Sequence, residues 1–488
     1  MLRLTIRNEA LAGPVFRPNL SVKLQRSRKG AGPLSKLWKK SALRTRLAKR
    51  ERDRTVALFV ASPTGASPTA ASPTRFEESR AERVLDAFTP KPVRPAGPDG
   101  LTLTSRAPPA PGFHLIDTTM MYAPRSGGVK RYLTAKRAWL ESHRPDIRHT
   151  LVVPGAATRA DGPGIYTVSA AKLPFGDGYR MPASPTKWAA VLRLLEPDII
   201  EAGDVFVPGH AAMDAAEALG APVVGVCHTD APTLAALHLG DWAEQPTFNF
   251  WAQAYQRFDH VVAPSRHTAS RLADAGVERV SVHPLGVDLD LFHPSRGDRE
   301  ALLKRLEFPA DSRLLVFAGR PAREKNVDAM VAAVELLGDP YRLVLIGAGK
   351  DAHYSSRVAC IDFERAPERL AGVIASCDAF LHANENEIFG LVVLEAMAAG
   401  LPVIGPNKGG VGELLDEAVG QLAPAVDPRT LAETVEALFT RDVQALKLAA
   451  RRRAETRHSW DHTFEGLTRL YVQLLGRNPR RAPLRLSA

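Results

Sequence analysis

Cysteine is scarce in this chain of 488 residues, and the three present (Cys227, Cys360, Cys377) stand at no metal-ligand spacing. That excludes a disulfide-stapled scaffold and a cysteine-based zinc module, and a reducing, cytoplasmic setting is expected. No uninterrupted apolar run reaches the ~18–20 residues of a membrane-spanning helix. The nearest stretch, Gly390 to Gly405, carries Glu395 in its middle and Pro402 near its end, so it reads as buried structure. An apolar segment after a short basic start is also lacking, which argues against a secretory signal.

Acidic residues are rare at one end. Residues 1–54 hold 16 Lys/Arg against 3 Asp/Glu, a net of +13, while the whole chain is +11 and residues 55–488 therefore net −2. The basic character belongs to the tail, and a near-neutral body is not expected to bind nucleic acid. Three Ala-Ser-Pro-Thr repeats and a Pro-rich run to Pro111 follow the basic block. Such composition buries too little apolar surface to offset chain entropy, so residues 1–110 are expected to be disordered. Three roles stay open for them: a non-functional extension, a targeting segment, or a tail that attracts nucleic acid or makes a peripheral contact with anionic membrane through residues 23–54.

From Phe113 onward, short β-rich runs alternate with helical stretches, in one series to His283 and a second from Leu314 to Ile404. Strands separated by helices imply parallel sheets with crossover helices. The expectation is an α/β chain of two doubly wound Rossmann-like domains facing a cleft. The first spans 111–300, the second 301–458, a polar hinge lies around 293–310, and a crossover helix occupies 459–478. Ligands would bind at the carboxyl ends of the strands.

The most informative segment runs from Glu387 through Phe389-Gly390 to Glu395, Gly400 and Pro402. Between Leu391 and Ala399, Glu395 is the single polar side chain, and Gly400 with Pro402 ends the helix. A helix apolar all round is buried, so Glu395 needs partners: backbone or an arginine, or the vicinal hydroxyls of a ribose in a cleft. Glu387 precedes the helix and either caps it or stands beside amides ready for phosphate or sugar oxygens.

This segment resembles the E-x7-E signature of the family 4 retaining glycosyltransferases, and matching landmarks cover about 113–475. The resemblance implies a GT-B fold and sugar transfer from a nucleotide-sugar donor to a hydroxyl acceptor (lipid, polysaccharide or small molecule) without a metal or other cofactor. It implies that Glu387 contacts the transferred sugar and Glu395 the ribose, with Phe389, Gly390 and Leu391 beside the donor. Gly319-Arg320 through Glu324-Lys325 is similar to the family's G-R-x-x-x-E-K stretch, whose Arg and Lys grip the diphosphate. Gly127-Gly128 resembles the first-lobe glycine loop, where two helix-terminal glycines let backbone approach a phosphate. His228 matches a cleft histidine, and Tyr122 and Asp230 are candidate acceptor contacts. The family often has Pro-Ser before the first glutamate; here Ala383-Asn384-Glu385-Asn386 stands there, so Glu385 or Asn386 is a candidate to share the role of Glu387. An epimerase or phosphorylase of the same fold, or a non-catalytic binding protein, remains an alternative.

Overall fold

The structure, a computed structural model, describes residues 112–124, 126–173, 178–349, 352–362 and 366–477. These belong to one compact unit. The basic and Pro-rich segment 1–110, including the membrane-contact stretch 23–54, lies outside the described residues.

The first lobe is built on β1 (His114–Thr118), β2 (Arg148–Gly155), β3 (Arg159–Ala160), β4 (Ile165–Ser169), β7 (Ile199–Ala202), β8 (Val223–Val226), β9 (His260–Ala263) and β10 (Val280–Val282). Between them, β5 (Ala171–Lys172) and β6 (Arg180–Met181) form a separate ribbon. The sheet order is β10-β9-β8-β7-β1-β2-β4-β3, and β3 is its one antiparallel member. The second lobe carries β11 (Arg313–Ala318), β12 (Tyr341–Ile346), β13 (Val358–Ile361), β14 (Ala379–Leu381), β15 (Val403–Pro406) and β16 (Gly420–Ala423). Their order is β13-β12-β11-β14-β15-β16, all parallel. Strands buried on both faces explain the continuous apolar runs such as Leu314–Ala318.

The strand order reverses beside β1 in the first lobe and beside β11 in the second. Loops leaving the carboxyl ends of adjacent strands diverge at such points and leave a crevice. The loop after β1 leads to Gly127 and the helix Gly128–His143; the loops after β11 and β14 carry Gly319–Lys325 and His382–Glu387.

The stretch 293–310 is not a free hinge. It holds the helix Arg299–Leu306, whose Leu302 and Leu303 join Val287 and Phe292 in the second-lobe core, so the chain enters that lobe before residue 300. The helix was hidden by its charge: it is amphipathic and exposes Lys304 and Arg305. The helix Trp460–Gly476 is capped by Ser459 and returns to the first lobe. There Phe464, Leu467 and Tyr471 are buried with Tyr132, Trp139 and Leu140.

Candidate active site

The helix Leu391–Ala398 ends in a Schellman arrangement: Leu401 N–H donates to Ala396 O and Gly400 N–H to Met397 O, with Gly400 at φ +79°. It starts at Gly390, at φ +96°. Its N-terminus faces that of Gly128–His143 from the other lobe, since a Cβ on Gly128 would sit 3.9 Å from Leu391 Cδ2. Two sets of helix-terminal amides thus converge, and both favour an anion. Gly127 and Gly128 line this approach, and Gly127 faces open space. Phe389 itself is turned inward against His458.

Lys325, the last residue of a short 3-10 turn, places Nζ 2.6 Å from Glu387 Oε2. Asn384 Nδ2 donates to the same oxygen at 2.8 Å, and its Oδ1 accepts from Asn386 N–H. Burial alone would raise the Glu387 pKa, but the Lys325 ammonium, His382 and these hydrogen bonds outweigh it and hold the carboxyl at about 2. It is ionised at neutral pH and serves as an acceptor, not a proton donor. Asn384, rather than Glu385 or Asn386, touches Glu387; Glu385 pairs with Lys408 at 2.8 Å. His382 is fully buried, neither ring nitrogen has a hydrogen-bond partner, and burial holds its pKa at about 4.

Glu395 is 2% exposed. Its Oε1 is held by the Arg131 guanidinium of the first lobe, while its Oε2 is buried without a hydrogen-bond partner. Burial raises its pKa, and Arg131 opposes the shift. Arg320 follows Gly319 just after the carboxyl end of β11 and is exposed.

Other contacts also cross between the lobes. Ser265 Oγ donates to Ile388 O at 2.6 Å, and Glu413 accepts from the backbone N–H groups of Arg266 and His267. Arg323 donates to Leu237 O at 2.6 Å. Of the second-lobe candidates, Leu391 is brought close to Gly128 and Glu395 to Arg131 of the same first-lobe helix. His228 stands at the end of β8, ring edge to Tyr132 at 5.0 Å; burial first and Lys136 second lower its pKa to about 4. Tyr122 lies in the loop after β1, under Lys130. Asp230 has structural partners: it caps the helix Ala231–Leu239 through Thr233 and pairs with Arg271 at 3.1 Å.

Two parallel-sheet lobes with these groups at facing switch points define a GT-B architecture. Solved structures agree at the level of fold: sucrose-phosphate synthase from Thermosynechococcus elongatus superposes with TM-score 0.61 at 19% identity, covering 74% of this chain and 99% of that one. Anabaena HepE in complex with UDP and glucose gives 0.58 at 20%, covering 73% and 98%. In sequence, the family model "Glycosyltransferase Family 4" matches residues 126–291 and "Glycosyl transferases group 1" matches 298–458. A GDP-mannose-dependent alpha-mannosyltransferase of Mycobacterium tuberculosis is 32% identical over 295 residues, 60% of this chain and 77% of that protein. A D-inositol 3-phosphate glycosyltransferase of Xylanimonas cellulosilytica is 34% identical over 300 residues, 57% and 72%. The chain belongs to family 4 of the glycosyltransferases and is a sugar-transferring enzyme.

Arg131, Asn384, Ser265 and Glu413 were missed by sequence reasoning. The Gly-Gly-x-x-Arg spacing put Arg131 on the cleft end of its helix, but its partner lies 264 residues away.

Proposed function

We propose that the enzyme transfers a hexosyl group from a nucleoside-diphosphate sugar to a hydroxyl acceptor with retention of configuration and without a metal ion. The observations supporting this are the Lys325–Glu387 pair just before the helix Leu391–Ala398, the approach of that helix's start to Gly128, and the Arg131–Glu395 pair between the lobes. The diphosphate sits against the helix amides with Arg320 and Lys325, which stabilise the charge that grows as the sugar–phosphate bond breaks. Ionised Glu387 accepts hydrogen bonds from sugar hydroxyls, and Glu395 accepts from the ribose. The acceptor approaches along the first lobe past His228 and Tyr122.

In the same-face displacement, the C1–O bond to the diphosphate breaks as C1 bonds to the acceptor oxygen. The leaving phosphate oxygen takes the acceptor proton, so no carboxylate nucleophile is needed. Lobe closure supplies the alignment. GDP-mannose is the first donor to try, because several relatives carry it in their names.

The test is a thermal-shift screen of the full chain against ADP, GDP, UDP and their sugar conjugates in chelator, followed by product analysis with the donor that binds. A ligand at 100 times its Kd stabilises by about 2.7 kcal/mol, which is readily detected. A response to one nucleotide that disappears in Glu395→Ala supports the donor site. An inverted glycoside, or transfer that requires added metal, overturns the corresponding part of the proposal.

A further inference from the structure

The Glu395 carboxylate is unusual in being half satisfied. Its helix is otherwise apolar, it is 2% exposed, and Oε2 has no hydrogen-bond partner. A buried ionised carboxylate is tolerated only with a counter-charge and hydrogen bonds. The counter-charge comes from the opposite lobe: Arg131, in the first turns of the helix Gly128–His143, reaches Oε1. Other cations around the two helices are committed elsewhere. Arg451 donates to the carbonyls of Leu289, Phe292 and Ala398, and Lys130 donates to Pro124 O while lying over the Tyr122 ring. His458 is turned against Phe389.

We infer that Arg131 is a positioning residue for nucleotide recognition, which fixes the Glu395 carboxylate from the first lobe so that Oε2 is presented to a ribose hydroxyl. This rests on the reading of Glu395 as the ribose acceptor given above. The other inter-lobe bonds described above (Ser265 to Ile388, Glu413 to Arg266 and His267, Arg323 to Leu237) do not touch Glu395. Arg131 alone among the described residues links its carboxylate to the first lobe. Recognition of the nucleotide by the second lobe therefore depends on the first, and tight donor binding and closure are coupled. Because burial already raises the Glu395 pKa and Arg131 opposes it, loss of Arg131 raises it further. The ionised form then dominates only above that raised pKa, so the deficit shrinks as pH rises.

The experiment measures, by calorimetry on the full chain, the Kd of whichever of ADP, GDP and UDP gives the largest thermal shift. Wild type, Arg131→Met, Arg131→Lys and Glu395→Gln are compared at two pH values, about 6 and about 8.5, with thermal melts to check folding. Arg131 is 41% exposed at its side chain, so its variants leave the core intact. The expected result is at least a ~10-fold loss of affinity for Arg131→Met at the lower pH, a smaller loss at the higher, and Arg131→Lys within ~3-fold of wild type, set by the charge-assisted bond. Unchanged or tighter binding in Arg131→Met, or an equal and pH-independent loss in both arginine variants, overturns the inference. Wild-type binding by Glu395→Gln overturns the ribose reading itself, so the two failures are distinguishable.

Discussion

Lys325 Nζ lies 2.6 Å from Glu387 Oε2, so a cation from the loop after β11 and a carboxylate from the loop after β14 neutralise each other at the switch point. Both are half-buried, and the pair gives the crevice one cation and one acceptor in fixed relation. Lys325→Met and Arg320→Ala are each expected to lower turnover at least ~100-fold, as losing a preorganised donor to developing charge does. Steady-state assays with saturating donor check this; wild-type turnover in either removes that residue from the mechanism.

The same pair has an acid signature. Glu387 moves from 4.5 to about 2 in the folded protein. A depressed carboxylate contributes stability that is present above its unfolded pKa and is lost as pH falls towards the folded one. Melting temperature should therefore decline between about pH 4.5 and pH 2 in wild type, and part of this decline should vanish in Lys325→Met. Parallel acid melts that superpose in slope would show the pair to be energetically silent.

Asn384 is a cheaper test of positioning. It is buried, donates to Glu387 Oε2 and accepts from Asn386 N–H. Asn384→Ala removes both bonds and is expected to cost about 1–2 kcal/mol, as unmade buried hydrogen bonds do. A lowered kcat is expected alongside, since Glu387 Oε2 then keeps the Lys325 hydrogen bond but loses the one from Asn384. Asn384→Asp places a like charge beside Glu387 and should be worse in kcat. Urea unfolding together with kcat separates the two effects.

How much of this was legible follows from range. The helix Leu391–Ala398 could be read because one polar residue stands in an apolar run closed by Gly400 and Pro402, all local signals. The alternating strands of both lobes were legible because parallel strands are buried on both faces. Helix Ala231–Leu239 escaped because it is half-exposed and almost uniformly apolar, and so shows no helical period. The sequence reading assigns no element to 405–458, although Pro428–Phe439 is strongly amphipathic and capped by Asp427. The cross-lobe pairs could not be read: Arg131–Glu395 and Ser265–Ile388 span 264 and 123 residues, and no periodicity encodes them.

A buried charge network below His228 ties the crossover helix to the first lobe. Lys136 Nζ lies 2.7 Å from Asp117 Oδ1, 2.9 Å from Glu201 Oε2 and 2.9 Å from Tyr471 OH, and all four are almost fully buried. Lys136→Met takes the ammonium from two buried carboxylates, leaving Asp117 with His149 and Glu201 with the Tyr132 and Tyr471 hydroxyls, and should cost about 3–5 kcal/mol, the usual penalty for breaking a buried pair from one side. The double variant Lys136→Met, Asp117→Asn should recover part of that loss. Urea unfolding measures both, and a Lys136→Met protein as stable as wild type would deny the network any structural role.

Gly127 separates a need for space from a need for stability. It caps the helix Gly128–His143, at φ −89°, and a Cβ there meets nothing within 4 Å. A clash within the protein itself therefore gives no reason for glycine. If a diphosphate is held by the amides of this turn, the added side chain meets the ligand instead. Alanine is a poor N-cap, so Gly127→Ala confounds the two effects with a stability loss of up to about 1 kcal/mol. Serine is a better cap than alanine, and Gly127→Ser should melt above Gly127→Ala. Its donor affinity or turnover should nevertheless fall at least ~10-fold, reflecting loss of close backbone approach rather than of folding. Full activity in a stably folded Gly127→Ser would place the diphosphate away from this turn and leave the second-lobe helix as its anion site.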